Sequence, residues 1–169
     1  MAFKCFDPEI HKVYPAFTLY PFFHKLEKMP WASASVVRLE DCENLIFASG
    51  QTGRDPETDR QPRNFDEERA RVGVVFEGIK AQTKGSWMRI KEILEGMGSC
   101  LEDIIFVRQY LANRNDWWEM REATKEFFLE HAPDLWENRR AGTLLKDIKL
   151  DLPEMLVEIE VIAAQPKKR

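Results

Sequence analysis

The sequence predicts an α+β domain, a mixed sheet with two main helices packed on one face. Three observations predict it. Short runs rich in β-branched and aromatic residues ("SVVRLED", "NLIFASG", "IIFVRQYL", "AGTLL" and "MLVEIEVIAAQ") are bounded by turn signals and read as strands. Two longer segments repeat apolar residues at spacings of three and four, the helical period. The order β-β-α-β-α-β-β then fits helices gathered on one side of a sheet. A sheet covered on one face only leaves the other needing a partner, so an oligomer is expected.

Each element has its own signal. Residues 1–34 are rich in aromatics, among them Tyr14, Phe17 and Trp31, yet carry Pro8, Pro15, Pro21 and Pro30, which interrupt helix and strand periodicity. They read as an extended arm, packed on the domain of residues 35–169 or on a neighbouring subunit. "SVVRLED" and "NLIFASG" read as two strands joined at Asp41 to Glu43, followed by a loop, "QTGRDPETDRQPRN". From Phe65 to Gly96, Val75, Ile79, Trp87, Ile90 and Leu94 recur at helical spacing, with Gly73, Gly78 and Gly85 as weak points, so one interrupted helix or two is expected. "IIFVRQYL" is a strand. Asp116 is placed to cap a helix running to about His131, with Trp117, Met120, Thr124, Phe127 and Phe128 on one face.

Composition narrows the function. The chain has 169 residues, most simply one domain, and its 44% hydrophobic and 32% charged content fits a globular protein rather than a disordered one. The net charge of -4, with basic and acidic residues interleaved, offers no basic stripe for a phosphate backbone, so nucleic acid is a poor partner. Cys5, Cys42 and Cys100, like His11, His24 and His131, lack disulfide-framework or metal-ligand spacing, and no metal is expected. No apolar run is long enough to span a membrane, and the first thirty residues lack the apolar core of a secretory signal. A cytoplasmic location is the expectation.

Strict alternation in "MLVEIEVIAA" puts Val157, Ile159, Val161 and Ala163 on one face and Leu156, Glu158, Glu160 and Ile162 on the other. The glutamates either face water or line a pocket. Arg139 and Arg140 stand where a helix ends, where cations favour the helix dipole, and a pocket lined by the glutamates would lie opposite them. Ser49 and Gly50 close a strand, and a glycine there lets a ligand approach the backbone. Arg121 shares its helix face with Trp117, Thr124 and Phe128; its head either snorkels to solvent or enters a pocket.

Taken in order, "NLIFASGQTGRDPET", "QTKGSWMRIKEILEGMGSCLEDI", "VRQYLANRNDWWEMREATKEFF", "RRAGTLL" and "LPEMLVEIEVIAA" resemble the RidA/YjgF family of reactive-intermediate deaminases over roughly residues 35–165. The resemblance implies a chorismate-mutase-like subunit assembled as a homotrimer whose sheets form a central barrel, with sites in the clefts between subunits. It implies a cofactor-independent hydrolase that releases ammonia from a carboxylate-bearing imine or enamine. Arg140 takes the place of the family's carboxylate-gripping arginine and Glu158 that of its water-positioning glutamate. Ser49 and Gly50 match its ligand-contacting turn, and Arg139 is a helix-end charge.

This chain departs from the family's pattern at informative points. Arg121 replaces an asparagine, Gly142 a small residue or cysteine, and no tyrosine stands near Ser33; extra sequence lies around residues 63–80. Arg121 as a second carboxylate receptor would suit a larger or dicarboxylic, aminomuconate-like substrate. The rival functions are a non-catalytic trimeric binding or chaperone-like protein and, less attractive for an acidic chain, an endoribonuclease.

Overall fold

The structure is a computed structural model and describes residues 12–24, 27–54 and 75–167. Its centre is a four-stranded sheet of β4 (Cys42–Thr52), β5 (Ile104–Leu111), β6 (Ala141–Lys146) and β7 (Val157–Pro166), in the order β4-β7-β5-β6. β7 runs antiparallel to both neighbours, whereas β5 and β6 are parallel. A parallel pair needs a crossover. Helices α2 (Trp117–His131) and α3 (Pro133–Glu137) supply it.

One face of the sheet is apolar because its strands alternate. Val157, Ile159, Val161 and Ala163 are buried in one cluster with Trp87, Ile90 and Leu94 of α1 (Ile79–Gly96) and Met120, Phe127 and Phe128 of α2. The Trp87 ring meets Phe128 edge-on at 4.6 Å, and its Nε1 donates to Thr124 Oγ1 (3.1 Å), which satisfies the polar end of a buried indole. The α+β arrangement with two main helices on one face is thus as the alternation and helical periods require.

The opposite face is covered in part, where Phe106 and Ile162 pack with Ala16, Phe17 and Ala32, and is exposed elsewhere among the described residues. Leu45 and Phe47 of β4 point there, and Phe47 is 72% exposed. Arg108 of β5 pairs with Glu160 of β7, and Tyr110 Oη donates to the same carboxylate (3.3 Å).

Several local expectations change. The prolines do not keep the arm out of strands: β1 (Lys12–Val13), β2 (Phe17–His24) and β3 (Glu27–Val37) form an antiparallel sheet. Register shifts on either side of Pro21 absorb the residue that cannot donate to the ladder. β3 runs through residue 34, and Ser35 Oγ donates to Ile105 O (2.6 Å), tying it to the main sheet. The β3–β4 turn lies earlier than expected, with Arg38 Nε donating to Asp41 Oδ2 (2.8 Å) and Cys42 already in the strand. α1 begins at Ile79, after Gly78 at φ 80°; residues 55–74, with the expected helix start and much of the extra sequence, lie outside the described residues. Asp116 precedes α2 as expected but makes no side-chain cap bond. Instead Asn113 Oδ1 accepts from Asn115 N (3.0 Å), starting a short 3-10 turn that leads into the helix. No described helix is long and apolar enough to cross a membrane.

Candidate active site

Arg140 and Arg121 line one cavity, Gly50 and Glu158 another, and the two share no lining residue. A single copy of the chain does not bring its candidate catalytic groups together.

The first cavity, about 320 Å³, opens between α2, α3 and the β6 edge. Arg140 enters it from the residue before β6. The side chain is buried, and four of its five N–H groups are spent within the chain. Nε donates to Ile104 O (2.7 Å), one terminal nitrogen to Tyr14 Oη (2.8 Å) and Asn138 O, and the other to Glu102 O (2.8 Å). Asp134 Oδ2 lies 3.6 Å away, and the guanidinium stacks 4.4 Å from the Tyr14 ring centre. A buried guanidinium must satisfy its donors, and here the chain itself does so. The fork expected to lie open for a substrate carboxylate is occupied.

Arg139 departs from its expected role as a helix-end charge. Its Cζ sits 3.7 Å from the centre of the Trp136 ring, and its buried Nε has no hydrogen-bond partner among the described residues. Burial first, and the charge of Arg121 second, push its pKa down to about 10. Arg121 does face the cavity, with Cζ 5.6 Å from the Trp136 ring and 5.8 Å from Trp117. Neither arginine has a carboxylate partner among the described residues.

Gly142 is explained by the sheet. It pairs with Val107 of β5, and any Cβ there would strike the Val107 carbonyl.

The second cavity, about 230 Å³, is built on a bulge. Between Ala48 and Gln51, β4 carries one residue more than β7 opposite it, which places Ser49 and Gly50 at the irregularity. Ser49 is exposed and its carbonyl accepts from Gln51 Nε2 (3.0 Å). Gly50 is required because a Cβ would fall on the Glu158 carboxylate. Glu158 itself is half-buried and has no hydrogen-bond or ion-pair partner among the described residues. Burial, then the charges of Glu160 and Asp151, raise its pKa above the usual carboxylate value. Arg54, Arg89 and Asp151 are the other charged residues of the lining.

Three contributors escaped the sequence reading. Tyr14 donates to Asp134 and accepts from Arg140, and burial drives its phenol pKa upward. Gln82, buried in α1, donates to Glu154 O (2.8 Å) and accepts from Leu156 N (2.8 Å), fixing the chain two residues before Glu158. Trp136 carries the arginine stack; its signal was the tryptophan three residues before Arg139. Among the described residues no group of three His, Cys, Asp or Glu side chains is placed to hold a metal ion.

Comparison with known proteins agrees over most of the chain. The Endoribonuclease L-PSP family matches residues 27–165. A RutC family protein of Pyrococcus abyssi is 35% identical over 121 residues, 71% of this chain and 78% of its own. The 2-iminobutanoate/2-iminopropanoate deaminase of Salmonella typhimurium is 26% identical over 133 residues, 78% and 93% of the two chains. Among solved structures, the YjgF gene product of Escherichia coli aligns with a TM-score of 0.55 at 23% identity, covering 86% of this chain and 92% of that one. TdcF of the same species, with bound serine, gives 0.56 at 21% identity, covering 92% and 98%. With the strand order, the Gly50 bulge and the Glu158 strand already in place, a family match from residue 27 to residue 165 makes this chain a member of the RidA/YjgF family.

Proposed function

We propose that the protein is a hydrolytic deaminase of carboxylate-bearing imines or enamines, assembled as a homotrimer in which Glu158 of one copy faces the arginine-lined cavity of the next. The observation that carries this reading is Glu158, an unpartnered, half-buried carboxylate held against Gly50 with raised proton affinity. A base of that kind is suited to take a proton from water. The relatives named as deaminases support the reaction class.

In the reaction, the cationic cavity binds the substrate carboxylate and so fixes the adjacent C=N carbon. Water adds to that carbon as Glu158 takes its proton, and the imine nitrogen keeps the electron pair of the opened π bond. Glu158 returns that proton to the nitrogen, giving the neutral carbinolamine, which then collapses: the hydroxyl proton passes to nitrogen by way of Glu158, the freed O–H electron pair forms the C=O bond, the C–N bond breaks, and ammonia leaves with a carbonyl product. No redox step occurs, and the balance is imine plus water to carbonyl plus ammonia.

The test is ammonia release from a monocarboxylate imine generated in situ. Wild-type protein should accelerate it, and Glu158→Gln should lower the rate by about a hundredfold or more, the range a positioned base contributes. Equal rates would sink the mechanism. A second reading, a non-catalytic member that binds small acids, is favoured by the occupied fork of Arg140; ligand binding without any ammonia release would support it. The endoribonuclease reading is weaker, because the chain is acidic overall at a net charge of -4.

A further inference from the structure

We propose that Arg139 and Arg121 together form a receptor for a planar dianionic acid seated against Trp136 and Trp117, with Arg140 as the strut behind it. The inference deepens the proposed function by naming the substrate class, and it rests on that reading only for the turnover of what is bound.

The placement begins with the backbone. Ala32 N donates to Arg139 O (2.9 Å), so β3 pins the main chain of Arg139 beside the start of β6. Trp136, on the short helix α3, then holds two guanidinium groups on one indole, Arg139 at 3.7 Å and Arg121 at 5.6 Å from the ring centre. Two like charges this close repel, and a buried N–H without an acceptor costs more than an ordinary hydrogen bond returns. Such an arrangement needs a counter-charge. The lining supplies none: it contains no aspartate or glutamate among the described residues, and Lys146 Nζ, 4.4 Å from the Trp117 ring centre, adds a further cation nearby.

Arg140 is not a candidate for this role, since its donors already meet three backbone carbonyls and Tyr14. That leaves two guanidinium forks, each shaped to accept a carboxylate bidentately. Two uncompensated charges favour two acidic groups on one ligand. Much of the remaining wall is flat or apolar, with Trp117, Trp136, Val107 and Leu144 beside the polar Gln109, Thr124 and Thr143, which suits an unsaturated or aromatic body between the acids. A monoacid would leave one arginine desolvated and unpaired, so discrimination comes from rejection as well as attraction.

The probes are isophthalate as planar dianion, benzoate as planar monoanion and inorganic phosphate as a dianion without a flat body. Binding is read by calorimetry and by quenching of tryptophan fluorescence. Wild-type protein should bind isophthalate about tenfold or more tighter than benzoate and than phosphate. Arg139→Gln and Arg121→Asn should each remove that preference; Arg139→Lys, which keeps charge but not the fork, should retain only part of it. Equal affinity for isophthalate and benzoate, or a preference that survives both Arg139→Gln and Arg121→Asn, overturns the receptor. Phosphate binding as tightly as isophthalate overturns the planar body. If Arg139→Gln instead dissociates the assembly while the assembled fraction keeps the preference, the pair is a subunit contact and the proposal fails. Circular dichroism melts identify any variant that does not fold, in which case Arg139→Lys and Arg121→Asn decide. Ammonia release from a dicarboxylate imine, with a monocarboxylate imine beside it, separates the two readings. An isophthalate preference without turnover sinks the deaminase and leaves the receptor, and turnover without the preference does the reverse.

Discussion

Glu158 and Arg140 were both expected to be catalytic, and their surroundings pull them apart. Glu158 has its pKa raised by burial and by Glu160 and Asp151, so the native state holds its proton more tightly than the unfolded chain does. Stability linked to this group is therefore greatest at low pH and is lost as pH rises from the ordinary carboxylate value through the raised one. The ionised carboxylate costs stability at neutral pH. Glu158→Gln should accordingly leave Tm at pH 7 unchanged or higher while turnover falls, and wild-type kcat/KM should rise with pH through an apparent pKa above the ordinary value. A fall in Tm with retained activity would make Glu158 structural. Arg140 is the opposite case. Arg140→Lys presents one point charge to acceptors spread over Ile104, Glu102, Asn138 and Tyr14, and should cost about 3 kcal/mol of stability. Denaturant unfolding measures it, and a loss under half that size would mean the network is slack.

At the scale of elements, the two informative glycines answer to different obstacles. A Cβ on Gly50 meets the end of a flexible glutamate, so Gly50→Ala should displace Glu158 and lower turnover with little change in Tm. A Cβ on Gly142 meets the backbone of β5, which cannot swing away, so Gly142→Ala should cost about 1–3 kcal/mol as overpacking does. Paired thermal melts and rates check both, and a reversed pattern would contradict the bulge as the device that sets Glu158. The alternation of β7 and the apolar run of β5 were legible because each is a local pattern that tertiary packing only reinforces. Arg140 was located by motif but not in its bonding, since Tyr14 lies 126 residues away in sequence and no period links them. Arg139 was misread because a cation after a helix has the same local pattern whether its head is in water or on an indole. The arm's prolines misled for a related reason: edge and bulge positions tolerate them, and register is set by the partner strand.

For the whole molecule, the proposed trimer rests on the exposed part of the sheet face. Leu45 and Phe47 stand exposed on it beside the Arg108–Glu160 pair, an apolar patch of the kind that marks an interface. A trimer at micromolar concentration is expected by sedimentation equilibrium, and Phe47→Asp should dissociate it; a monomeric wild type would remove the shared-site account. In the proposed trimer, Glu158 and the arginines, which occupy separate cavities in one copy, would meet across the boundary between copies. If the site is completed between copies, two inactive variants, Glu158→Gln and the double variant Arg121→Asn with Arg139→Gln, should restore one another after mixing and reassembly. With random exchange at equal ratio, about one quarter of the interfaces join two intact halves. Ammonia release from the mixture is therefore the decisive measurement: recovery to about one quarter of the wild-type rate is the result this account predicts, and a mixture as inactive as its two parents would contradict it.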